Sequence, residues 1–122
     1  MKKILDYLPV IVLIIGGWAF VNGILHTIAV LNKYISGGYS RELFRLLTIG
    51  QILIFSGLMQ MISYVLIRSN NKTGLYIALL SSISLLAFCF MAFPFLKSIA
   101  TISFEIFLIV LLAFKIFSNK QA

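Results

Sequence analysis

The chain has 122 residues, of which 61% are hydrophobic and only 11% are charged, whereas soluble domains have roughly 45–50% apolar and about 25% charged residues. So few polar side chains cannot cover a water-facing surface, and the composition excludes an ordinary soluble domain. The net charge of +7 would suit nucleic acid, but the basic residues flank apolar segments instead of forming a patch, so we expect no nucleic-acid partner.

Four long apolar segments predict four transmembrane helices. Counted between flanking charged residues, they contain 26, 22, 24 and 17 residues in chain order, and only the last includes a charge, Glu105. A bilayer core about 30 Å thick needs roughly 20 residues of helix. The last segment reaches that length because the flanking Lys97 and Lys115 can extend toward the headgroups. The helices are predicted near residues 7–31, 43–67, 74–96 and 99–117.

Local signals predict where these helices begin and end. Pro9 suits a first turn, where its missing N–H has no intrahelical partner to lose. The pair at 37–38, Gly-Gly, breaks the chain, and Ser40 is a suitable N-cap for the second helix. Residues 69–74 form a polar turn, and Pro94 is expected to end or kink the third helix. The sequence therefore predicts a single all-α transmembrane domain over 1–122, an up-down-up-down four-helix bundle.

Basic residues predict the orientation of this bundle. With four spans, both termini and the 68–73 loop share one side, which carries six Lys or Arg residues against four on the other. Positive charge favours the cytoplasmic side, so cytoplasmic termini in a bacterial inner membrane are expected. The small difference leaves dual topology, with antiparallel assembly, as an alternative.

Polar residues inside the apolar segments predict a binding pocket. His26 lies five residues before Leu31, and Glu105 lies seven residues after Ser98, which gives depths of about 7.5 and 10.5 Å from the same membrane boundary. The first and fourth helices of such a bundle are neighbours, so we expect His26 and Glu105 to meet. The predicted pocket consists of Asn22, His26, Arg45, Gln51, Thr101 and Glu105.

Structural roles are the alternative for several polar and aromatic residues. His26 could donate to or accept from a backbone group, and Glu105 could remain protonated or serve stability alone. Gln60 and Tyr64 are expected to make hydrogen bonds between helices. Trp18 falls in the middle of the first helix, and we expect it to pack between helices.

Glycines recur at seven-residue intervals in the first two helices. Gly16 and Gly23 lie in the first helix, and Gly50 and Gly57 in the second. This spacing predicts one packing seam where the two backbones approach closely.

Motifs for common chemistry are absent from the sequence. It contains no Gly-rich phosphate loop, no H-E-x-x-H and no G-x-S-x-G. The single cysteine, Cys89, excludes an intramolecular disulfide and a cysteine-based metal cluster, and one His with one Glu cannot fill a metal's coordination shell. We therefore expect no metal, no cofactor and no catalytic residues, and favour a protein that is not an enzyme.

A short motif carries a resemblance. Residues 23–27 read Gly-Ile-Leu-His-Thr, followed by the second helix with Gly57 and by Pro94 near the end of the third. With this G-x-x-H near the end of the first helix, the chain resembles small bacterial four-helix integral membrane proteins of uncharacterised activity. The resemblance implies the fold and supplies no activity.

Three functions are compatible with these observations. We favour a small multi-pass membrane protein that is a non-enzymatic transport subunit or accessory component. The alternatives are a structural or regulatory partner of a larger membrane complex, and an intramembrane enzyme acting on a lipid or quinone, which would need a lateral opening beside His26. The expected surroundings are the lipid bilayer and either a homo-oligomer or a larger membrane complex.

Overall fold

The computed structural model describes residues 2–92 and 99–121, and this part of the chain is almost entirely helical. Five α-helices are present within it, with one turn of 3₁₀-helix at Ile35–Gly37 and no strand. The helices are α1 (Lys2–Asp6), α2 (Leu8–Tyr34), α3 (Arg41–Arg68), α4 (Lys72–Ala92) and α5 (Ile99–Gln121). The predicted all-α fold is confirmed, and the four longer helices are long and apolar enough to cross a membrane.

The predicted helix boundaries agree with the structure where it describes them. Pro9 lies in the first turn of α2. The Ser40 hydroxyl accepts a hydrogen bond from the Leu43 N–H at 3.2 Å and caps α3. After α3 the chain turns through Asn70, whose φ of 60° is left-handed, a conformation that Asn tolerates. The predicted end of the third helix at Pro94 lies outside the described residues.

Glycines bring α2 and α3 into close contact, as their spacing predicts. A Cβ atom on Gly16 would lie 2.8 Å from the Gln60 Cβ and 3.0 Å from the Gly57 carbonyl oxygen. A Cβ atom on Gly23 would lie 2.8 Å from the Gly50 carbonyl oxygen. Since the contacts pair rising numbers in α2 with falling numbers in α3, the two helices run in opposite directions.

The remaining helices close the bundle around two apolar clusters. Each long helix contacts the next along the chain, and α2 also contacts α5. The larger cluster lies toward the start of α2 and comprises Leu8, Val12, Ile15, Leu75, Ala78, Leu108, Leu111 and Leu112. The smaller cluster lies further along α2 and comprises Ala19, Leu85 and Cys89. Between them lies a polar layer.

Large apolar side chains cover the outside of the bundle. Ile14 of α2, Phe55 of α3, Leu80 of α4 and Phe117 of α5 are each more than 60% exposed. Soluble monomers rarely expose contiguous apolar patches above a few hundred Å². The outer surface therefore suits an apolar surrounding on all four sides.

Candidate functional site

Three polar side chains from three helices meet in the layer between the apolar clusters. Gln60 of α3, Ser82 of α4 and Glu105 of α5 have no exposed surface at all. We call these three residues the polar cluster. Buried polar groups are destabilising unless they find partners, and here the partners are one another.

The Gln60 amide is the centre of this cluster. Its Nε2 atom lies 3.1 Å from Glu105 Oε1 and 3.0 Å from Glu105 Oε2. The same nitrogen lies 3.0 Å from the Ser82 hydroxyl oxygen. An amide nitrogen carries two hydrogens, so one is shared between the carboxylate oxygens and the other points to Ser82.

Two features of the cluster are unusual for buried polar groups. The hydrogen-bond donor to the Glu105 carboxylate is a neutral amide, and no Lys, Arg or His among the described residues forms an ion pair with it. In addition, Gln60 Oε1 is buried and has no hydrogen-bond partner. The cluster therefore holds a carboxyl group without a counter-ion, and beside it an unused acceptor.

The polar cluster lies deep within the bundle. Gln60 precedes the end of α3 by eight residues, and Ser82 follows the start of α4 by ten, which corresponds to about 12 and 15 Å. One turn from Ser82, Ala78 is completely buried, and on the other side Leu85 is completely buried as well. Apolar residues thus enclose the cluster toward both ends of the bundle.

Gly16 of α2 makes room for the Gln60 side chain. The Cβ that any other residue would carry at this position would lie 2.8 Å from Gln60 Cβ, closer than side chains pack. Without it, the α2 backbone packs directly against the base of the Gln60 side chain. The glycine seam therefore positions the amide as well as joining two helices.

The six residues of the predicted pocket are not joined in one site. No hydrogen bond links any two of them within the described part of the chain. The Asn22 amide donates to the Trp18 carbonyl at 2.8 Å, and His26 Nε2 lies 3.0 Å from the Leu46 carbonyl oxygen. The backbone contact that was the alternative for His26 is therefore the one present.

Of the other predicted residues, Thr101 lies next to Glu105, whereas Arg45 and Gln51 lie on the surface. Arg45 and Gln51 are exposed, whereas Thr101 is 9% exposed and lies one turn before Glu105. Arg45 lines a surface groove with Phe88 of α4.

His26 and Glu105 do not meet as predicted, because they lie at different levels of the bundle. Trp18 and Phe104 form an edge-to-face pair with ring centroids 5.5 Å apart, so Glu105 lies at the level of Trp18. His26 is eight residues further along α2, a distance of about 12 Å. From this common level, α2 continues for 16 residues to Tyr34, whereas α5 begins only five residues before Phe104, at Ile99, so the two helix ends do not lie in one plane as the prediction assumed.

The spacing of Gln60 from the glycines of α3 indicates that it faces α2, which its residue type alone does not indicate. Gln60 follows Gly57 by three residues, so both lie on the seam face of α3. Gln51 directly follows Gly50 and is therefore rotated away from that face. The hydrogen bonds of Gln60 between helices are confirmed, whereas the prediction for Tyr64 is wrong: its hydroxyl accepts from Arg68 of the same helix at 2.8 Å.

Trp18 packs against another helix but is not enclosed. Its ring meets Phe104 of α5, while 43% of its surface stays exposed. Ser82 is the residue that the sequence analysis missed, since nothing in its neighbourhood distinguishes it from Ser81 or Ser84.

The comparisons with known proteins give no family. No protein-family model, no curated protein and no solved structure matches this chain. Within the described residues, no three His, Cys, Asp or Glu side chains lie together as a metal site would require.

Proposed function

We propose that this chain is an integral membrane protein, an up-down-up-down bundle of four spans in a bacterial inner membrane with both termini in the cytoplasm. Within it, Glu105 carries a proton as part of a small transport subunit. The four long apolar helices and the apolar outer surface support membrane insertion. The six-to-four distribution of basic residues supports the orientation.

The observation that carries the proton role is the burial of Glu105 without a cation. An ionisable residue in a membrane interior is costly, and such residues mark proton and ion pathways more often than packing sites. Because the Glu105 carboxyl group is enclosed with Gln60 and Ser82, only a ligand as small as a proton can bind to it or leave it.

Both protonation states of Glu105 have partners within the cluster. As a carboxylate it accepts from Gln60 Nε2. As a carboxylic acid it gains an O–H donor, and Gln60 Oε1 is a free buried acceptor beside it, reached by rotation of the amide. The cluster is therefore suited to bind and release a proton without a change of residue partners.

The described conformation is closed around this site. Ala78 and Leu85 bury Ser82 on both sides, so a proton reaches Glu105 only when the helices separate or water enters transiently. Alternating opening of this kind suits a transport subunit better than an open channel.

The test is proton flux in reconstituted vesicles. With a pH gradient and a trapped pH-sensitive dye, Glu105→Gln should reduce the flux to that of protein-free vesicles, because an amide cannot release a proton. Glu42→Gln, at the exposed start of α3, is the matched control and should leave the flux unchanged. Equal flux in wild type and Glu105→Gln would refute the proton role.

The enclosure of the polar cluster favours a second function. In this function the chain is a structural or regulatory partner of a larger membrane complex. A closed set of hydrogen bonds from Gln60 to Ser82 and Glu105 ties three helices together. This function predicts no flux in the wild type and loss of a co-purifying larger membrane protein in Gly50→Leu or Gly57→Leu.

The third function, an intramembrane enzyme for a lipid or quinone, has less support. Its predicted opening lay beside His26, and a lateral groove of about 640 Å³ does begin at the neighbouring Thr27. However, His26 does not line that groove, and its Nε2 atom is engaged by the Leu46 carbonyl.

A further inference from the structure

Gln51 is a polar side chain on the outer surface of α3. It is exposed, and its amide makes no hydrogen bond with any residue that the structure describes. Its neighbours on the same stripe are apolar: Phe44 is 56% exposed and Phe55 is 63% exposed. By contrast, the nearby Thr48 hydroxyl donates to the carbonyl of Phe44 at 2.8 Å, so it needs no outside partner.

The depth of Gln51 makes an unpaired amide costly in a membrane. It lies six residues after Arg45, the charged residue that bounds this apolar segment, or about 9 Å along the helix. Lipid tails offer no hydrogen-bonding group at that depth, so an unsatisfied polar group in hydrocarbon is strongly unfavourable. A partner for the amide must therefore come from another protein segment.

The surface around Gln51 has room for such a segment. It lies in a groove of about 640 Å³ whose lining is mostly apolar. Its lining includes Leu31 of α2 and Ser84 of α4. The groove thus offers apolar packing around one central hydrogen-bonding group.

We infer that this groove is the interface with a second copy of the same chain, in which Gln51 pairs with Gln51 of that copy. A side-chain amide carries both donors and an acceptor. A two-fold axis through the groove places like residues opposite each other, so each amide can donate to the other. One residue type thus satisfies both sides of the interface.

The position of Gln51 along α3 favours a parallel pair. In the 28-residue helix, Gln51 lies about 5 Å from the midpoint. A two-fold axis along the membrane normal brings the two amides to the same depth. An antiparallel pair of centred helices would separate them by about 10 Å along the normal, too far for a hydrogen bond. The interface therefore requires the two copies of a pair to share one orientation.

This inference depends on membrane insertion but not on the proton role of Glu105. Glu105→Gln should dimerise like the wild type, so loss of flux and loss of pairing are separate results.

Cysteine cross-linking in membranes tests the interface. In a Cys89→Ala background, Gln51→Cys should form a disulfide-linked dimer on mild oxidation. Val21→Cys is the matched control, since Val21 is 52% exposed. It lies at a level of the bundle similar to that of Gln51, because Gly23 of the same helix contacts Gly50. It should stay monomeric. Equal cross-linking at both positions, or a Gln51→Cys adduct with a different protein, would overturn the proposal.

A binding measurement gives a second, independent readout. Single-molecule photobleaching in liposomes should show Gln51→Leu dimerising about five- to tenfold more weakly, as expected for two membrane hydrogen bonds. Because Gln51 is exposed, this variant should fold like the wild type. An unchanged dimer fraction for folded Gln51→Leu would contradict the paired amides.

Discussion

At the scale of single residues, the polar cluster shows how one side chain determines the environment of two others. Gln60 uses its Nε2 for both Ser82 and Glu105 and leaves its Oε1 unpartnered. In a low-dielectric interior, satisfied hydrogen bonds are strengthened and an unsatisfied polar group is costly. The arrangement thus retains one unfavourable atom beside the one buried carboxyl, as expected where function constrains packing.

The contribution of Ser82 can be measured against a nearby serine. Ser82→Ala removes the acceptor for one Gln60 N–H, and we expect it to lower the free energy of unfolding by about 1–2 kcal/mol. Ser84→Ala, at an exposed position on the same helix, should change it by less than about 0.5 kcal/mol. Reversible unfolding in mixed micelles measures both. Equal effects would mean that the Ser82 hydroxyl contributes nothing specific.

At the scale of helices, α2 and α3 are held by backbone proximity more than by large side chains. Along their shared seam, Gly16 faces Gly57 and Gly23 faces Gly50. Lipid tails are as apolar as leucine, so helix association in a membrane depends on close van der Waals packing. Small residues at the seam increase that contact over two helical turns.

Adjacent glycines in α2 provide a matched test of the seam. Gly16→Ala places a methyl group 2.8 Å from Gln60 Cβ, and overpacking of this kind costs about 1–3 kcal/mol. Gly17→Ala meets no atom within 4 Å and should be neutral or stabilise the protein by up to about 1 kcal/mol, because alanine favours helix. Thermal denaturation in detergent compares the two. A Gly17 variant as unstable as the Gly16 variant would argue against the seam.

At the scale of the whole molecule, the apolar exterior and the buried polar layer are opposite to the arrangement in a soluble protein. Side chains such as Leu80 and Phe117 lie outside, while Gln60, Ser82 and Glu105 lie inside. This distribution suits hydrocarbon as the solvent, because every polar group at depth then needs a protein partner.

Accessibility of the two described loops tests the proposed topology. In a Cys89→Ala background, Asn71→Cys should react with a membrane-impermeant maleimide only in inside-out vesicles, because its loop is proposed to be cytoplasmic. Ser36→Cys should react only in right-side-out spheroplasts. Labelling of each position from both sides would show dual topology and would contradict the proposed single orientation.

The four long helices, their approximate ends and the α2–α3 seam follow from the sequence alone, because each depends on local or periodic features. Uncharged length predicts the four long apolar helices, Ser40 caps its own helix, and glycines seven residues apart share a face. The tertiary structure alone decided which polar residues meet. Glu105 pairs with Gln60 instead of His26 because that choice depends on the rotation and axial offset of each helix. Many side chains from several helices set both quantities jointly, so no single segment encodes them.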